Sequence, residues 1–162
     1  MPRQNRVTPF GEIIATPERG TLIGNRGVLH DREQRIRRNW RLKRWILCVL
    51  SFKGRHREIM TEGRWTELFF LDEATGLAAG HRPCAECQRA RYLEFRDAWT
   101  RANWPDDAPS WPRAEAIDDR LHADRLDEFQ RHRGYRSKLD ALPDGVFITL
   151  NESSNQPVLI HR

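Results

Sequence analysis

The chain has 162 residues, 38% of them apolar and 31% charged, which predicts one domain with a lean core beneath a heavily charged surface. Lysine and arginine outnumber acids 28 to 23, and nearly all the cations are arginine, which suits bidentate contact with phosphate, although a formal charge of +5 does not by itself define a nucleic-acid partner. Three cysteines do not suit a complete disulfide framework, MPRQNRVTPF lacks the apolar core of a secretion signal, and the longest apolar run, 45–50, is too short to span a bilayer. The expectation is a cytoplasmic protein with no membrane insertion.

Residues 7–16 alternate weakly and predict a strand interrupted near Pro9 and Gly11 and ended by Pro17. Residues 18–31, punctuated by Gly20, Gly24 and Gly27, predict an ordered loop; the spacing lacks the Lys-Ser or Lys-Thr of a phosphate-binding loop. The segment 32–44 is the most basic. It carries Arg37, Arg38, Arg41 and Arg44 around Trp40, as a phosphate-binding face with a stacking indole would, or as a solvated face with Trp40 packed inward. Residues 45–52 predict a central strand buried on both faces, RHREIM its returning hairpin partner, and TELFF a third strand.

Asp72 is placed to cap a short helix over 73–79 that Gly80 stops. A longer helix should run from Cys87 to near Ala102, with Tyr92, Phe95 and Trp99 on its core side. Residues 104–112 read as a loop, 114–133 as a polar helix with Ile117, Leu121, Arg125 and Phe129 on one stripe, and 143–161 as a turn and a final hairpin. The expected fold class is α+β: a small antiparallel sheet with two or three helices and a treble-clef-like zinc knuckle. A zinc-binding core is expected over 44–102, with the last helix and hairpin over 113–162.

The knuckle is Cys84-Ala-Glu-Cys87, directly before the longer helix. A Cys-x-x-Cys turn points both sulfurs to one side and presents them to a tetrahedral metal such as Zn2+. Two ligands do not hold structural zinc, and Cys48, His56 and His81 are the candidates for the rest. Cys48, His56, Cys84 and Cys87 would form a Cys3His site; Cys48 in its apolar strand also reads as a plain hydrophobe.

The run FFLDEATGLAAGHRPCAEC, through Phe69, Phe70, Glu73, Ala74, Ala79, Gly80, Arg82, Pro83, Cys84 and Cys87, resembles the second half of the zinc-binding domain of Ada-type DNA-repair proteins. The chain as a whole resembles a bacterial protein family. In the Ada family an upstream Cys-x-x-x-Cys pair completes the metal site, and one of that pair accepts a methyl group from a DNA phosphotriester. This chain lacks the pair: His56 falls near its second position and Cys48 is displaced from its first. The resemblance implies metal binding and phosphate contact rather than methyl transfer.

These readings combine into a zinc-binding, nucleic-acid-binding protein, DNA ahead of RNA, linked to repair or regulation, with Arg37, Arg38, Arg41, Arg44, Arg55, Arg57, Arg82, Arg89 and Arg91 facing phosphates. An enzymatic alternative is a zinc-dependent nucleobase deaminase. There His56-Arg57-Glu58 and Pro83-Cys84-x-x-Cys87 would supply the ligands, and Glu58 the proton shuttle. The absence of a helical stripe after His56 opposes it. A treble-clef nuclease would need a catalytic histidine pair, and His30, His122 and His132 show none: His122 reads as solvated or half-buried and His132 as a surface residue. A structural zinc domain for a protein partner is the remaining alternative.

Overall fold

Successive side chains of a strand point to opposite faces, and three short strands of this chain obey that rule closely enough to build two cores. A computed structural model describes residues 1–55, 58–108, 110–151 and 156–161. In it, β1 (Gln4–Val7), β2 (Ile13–Ala15), β3 (Leu22–Asn25), β4 (Ile46–Val49), β5 (Leu68–Phe70) and β6 (Arg82–Pro83) form one sheet in the order β2-β1-β5-β3-β4-β6. Helices α1 (Glu73–Ala78), α2 (Arg89–Asn103) and α3 (Ala114–Arg125) complete an α+β chain, and β7 (Phe147–Ile148) pairs with β8 (Val158–Leu159) as a separate hairpin. The β1–β5 and β4–β6 pairings are parallel and the others antiparallel, so the sheet is mixed.

On one face Leu47, Leu68 and Phe70 bury with Val7, Ile13, Leu29 and Ala79. On the other, Ile23, Cys48 and Cys84 bury beside Ile46, Trp65, Phe69 and Cys87. Each fully buried Leu or Phe contributes about 1.5–3 kcal/mol. The register aligns Ile23 with both Cys48 and Phe69, which makes a continuous apolar row across β5, β3 and β4 on the second face.

Several elements differ from the sequence expectation, each for a physical reason. The interrupted strand at 7–16 is a hairpin: Pro9 and Gly11, the latter at φ +81°, occupy its turn. The segment expected as a loop at 18–31 contains β3, an interior strand between β5 and β4. Its glycine hid it. Gly24 lies so close to Ile46 that an added Cβ would sit 2.2 Å from the Ile46 carbonyl oxygen, so the small residue marks a tight strand approach rather than a turn.

The expected returning strand at RHREIM is not formed among its described residues: Arg55 and 58–60 lie outside any strand, and Met60 takes φ 59°. The place beside β4 goes to β6 on one side and β3 on the other. Helix α1 matches its signals, with Asp72 accepting from the Thr75 N–H at 2.7 Å and Gly80 at φ +81° just beyond it. Helix α3 stops at Arg125, short of the expected 133, and Phe129 is exposed beyond its end. The side chain of Asp127 accepts the N–H groups of Phe129 and Arg131, a local turn that competes with helix.

Candidate metal centre

The alternation of β4 sends Leu47 into one core and Cys48 into the other. Strand β6 then carries the chain along β4: the Arg82 N–H donates to the Trp45 carbonyl at 3.1 Å, and the Cys84 N–H to the Leu47 carbonyl at 2.8 Å. This parallel ladder brings Cys84 alongside Cys48. The knuckle turns back at Cys87 and enters α2, with the Gln88 N–H donating to the Cys84 carbonyl and the Gln88 side chain to the Leu47 carbonyl at 2.9 Å.

The result is three thiol sulfurs, of Cys48, Cys84 and Cys87, all within 4.8 Å of one another, a group that can hold a metal ion. Tetrahedral coordination at a Zn–S length near 2.3 Å places sulfurs about 3.8 Å apart, so a small closure fits them around one ion. Cys48 is 7% exposed and Cys84 9%, while Cys87 is half-buried, so the centre is covered on the sheet side and keeps some access at the knuckle.

The protonation pattern suits metal uptake. Cys84 is drawn down to about 5 by a hydrogen bond from Cys48, against the effect of burial, with the Cys87 and Glu86 N–H groups assisting; the Glu86 N–H lies 3.4 Å from the sulfur. Cys48 is pushed up as the donor to Cys84 and by burial, and Cys87 is pushed up by burial and the adjacent Cys84 charge. Cys84 is therefore the thiol of the three that ionises most readily. A metal binding all three displaces the protons of Cys48 and Cys87.

The remaining site candidates separate clearly. His56 and Arg57 lie outside the described residues. His81 is not part of the sulfur group; it is buried against Trp45 and Phe70. Glu58 is exposed in an irregular stretch, and the described residues 58–67 contain no helix of the kind that carries the His-x-Glu of a deaminase. Cys48 supplies a third sulfur, and zinc deaminases hold their metal with either one histidine and two cysteines or three cysteines, so the ligand set alone does not separate that reading.

The arginines also divide. Arg82 is not offered to phosphate: it is 2% exposed, and its Nε and Nη2 each bond Asp118 of α3 at 2.7 Å. Arg91 is bound by Glu73 and Glu94, Arg37 by Asp31 at 2.6 Å, and Arg55 by Glu86 at 2.8 Å beside the knuckle. Arg38, Arg41, Arg44 and Arg89 are exposed and make no salt bridge among the described residues. Trp40 packs edge-on against His122 at 4.3 Å, and Lys43 bonds Asp119 at 2.9 Å, so the basic segment is anchored to α3.

Sequence reasoning passed over a second group, on the Leu47 and Phe70 side of the sheet, built from Arg26, His81, Arg125 and His132. No local motif joins residues so far apart in the chain. No helix among the described residues is long and apolar enough to cross a membrane. No family model, curated protein or solved structure matches the chain.

Proposed function

We propose that the protein binds one zinc ion through Cys48, Cys84 and Cys87 and binds nucleic acid, DNA ahead of RNA, through exposed arginines. The observation that carries the reading is the convergence of three sulfurs from β4 and the knuckle. An all-thiolate set is soft and selects zinc over the oxygen-preferring divalent ions. Bound there, the ion supplies a cross-link between β4 and the start of α2. His56, the fourth ligand the sequence offers, would close the tetrahedron as a structural zinc requires, and three thiolates already give the centre a net negative charge that weakens it as an activator of water, so binding is favoured over catalysis.

Support for a polyanionic partner comes from Arg38, Arg41 and Arg44, exposed and free of salt bridges among the described residues, and from Arg89 at the first position of α2. What favours DNA is the likeness of residues 66–91 to the zinc-binding domain of Ada-type proteins. That likeness, the cytoplasmic location and a link to repair or regulation belong to the same proposal.

The test is anisotropy of labelled duplex and single-stranded DNA and RNA with zinc-loaded protein over a salt series. Affinity should fall steeply with salt as released counterions require. Joint replacement Arg38→Ala and Arg41→Ala should weaken binding about tenfold and leave the melting temperature unchanged. Zinc-loaded protein that ignores every nucleic acid would instead be a structural zinc domain for a protein partner.

A further inference from the structure

The sheet face that carries Cys48 continues well beyond the metal centre. The register sets Cys48 opposite Ile23, Ile23 opposite Phe69, Phe69 opposite Arg6 and Arg6 opposite Ile14. Directly opposed residues share a face, so these side chains form one row across β4, β3, β5, β1 and β2. The knuckle packs on the Cys48 end. The β2 end meets the C-terminal hairpin instead. There Phe147 of β7 and Pro157, directly before β8, line a partly open cavity of about 400 Å³ together with Ile14, Phe69 and Leu71.

The walls of this cavity are almost wholly apolar. Ile14 is 39% exposed and Leu71 57%, so two large aliphatic side chains meet solvent within a concavity, and an apolar ligand seated there would remove them from water. A volume of this order falls at the small end of the range that buries a ligand.

Three charged side chains, Arg6, Glu18 and Arg19, complete the lining. The Arg6 guanidinium lies 4.9 Å from the centre of the Phe69 ring. Its Nε donates to the Glu18 carbonyl at 2.8 Å and its Nη1 to Asn5, which leaves Nη2 with no hydrogen bond among the described residues. Arg19 makes neither a hydrogen bond nor a salt bridge among the described residues. Arg6 is half-buried and Arg19 exposed, so a ligand can approach both. Two guanidinium groups against the single Glu18 carboxylate leave one positive charge, which matches a monoanion better than a dianion.

We propose that this cleft binds a small apolar carboxylate, an alkyl or aryl acid whose hydrocarbon body packs among Ile14, Phe69, Leu71 and Phe147 and whose head group accepts from Arg6 and Arg19. The forked donors of arginine suit a carboxylate. The site uses none of the cysteines and none of the arginines assigned to nucleic acid, so its failure and theirs are separate results.

The experiment is calorimetric titration of the full chain with octanoate and with 4-phenylbutanoate. Octanol, which lacks the charged head, and acetate, which lacks the body, are the controls. Binding of either acid with Kd on the order of 0.1 mM, at least about tenfold tighter than octanol and acetate, supports the site. Arg19→Ala, at an exposed position, should weaken the acids severalfold, toward octanol. Leu71→Ser, also exposed, should weaken acids and octanol alike. Octanol binding as tightly as the acids would overturn the role given to the arginines, and no binding of any probe by the folded protein would overturn the site. A dimer in sedimentation that Leu71→Ser disperses would give the cleft to a second copy of the chain and overturn the proposal as well.

Discussion

Two clusters of opposite character flank the same ladder. The Trp45 and Leu47 carbonyls both receive hydrogen bonds from the 82–84 segment. Cys48 and Cys84 lie on one face of that ladder, in a group able to hold a metal ion; Trp45 and His81 belong to the other cluster, with the buried cations Arg26 and Arg125. The difference lies in how each is assembled. The sulfur cluster takes two of its three members from one turn, whereas the cation cluster gathers residues from the end of β3, the end of α3, the approach to β6 and the loop that follows α3. A local motif needs only its turn; the dispersed cluster exists only when the whole sheet and α3 have docked.

That contrast can be broken most forcefully at Asp118. Asp118→Ala leaves Arg82 buried without a carboxylate and removes the anion nearest Arg125, and should cost about 3–5 kcal/mol by urea denaturation. Metal stoichiometry should not change, because no sulfur depends on that carboxylate. A variant that also loses its metal would show that the two clusters are one cooperative unit.

Acid gives a smaller effect that sharpens the same comparison. Burial holds His81 well below its ordinary value, with Arg26 and Arg125 adding repulsion, and burial likewise lowers His132 and His122. In the unfolded chain these imidazoles take up protons near pH 6.5; in the folded one they resist. Their contribution to stability is therefore complete above about pH 6.5 and is lost as pH falls toward the depressed folded values. Denaturation midpoints measured at pH 7.5 and 5.5 should drop on acidification, and His132→Gln should flatten that drop. An equal drop in the variant would remove His132 from the account.

Legibility in the sequence follows the same division. The α1 cap at Asp72, the start of α2 after the knuckle and the thiol pair Cys84 and Cys87 are local signals, and each reads correctly from a few neighbouring residues; the strand expected over 45–52 is right only for Ile46–Val49, with Leu50 exposed beyond it. Cys48 was visible as a candidate, but only the alternation and register of β4 against β3 and β6 decide that its sulfur faces the knuckle. β3 was missed because Gly24 imitates a turn while serving a close strand approach. Arg82 read as a surface phosphate contact because its partner, Asp118, lies in a helix 36 residues later. Arg125 reads as part of the half-buried stripe of its helix, Arg26 carries no local signal and His132 reads as surface, because nothing local marks a charge for burial; only the tertiary structure brings them together in the interior.

The central claim is that Cys48 completes a metal centre with Cys84 and Cys87. It is tested most directly by the metal content of natively purified protein, measured by elemental analysis for the unaltered chain and for Cys48→Ser. The account predicts about one zinc per chain in the first and loss of most of it in the second. Native protein without metal, or a Cys48→Ser variant that retains zinc with undiminished resistance to chelators, would contradict it.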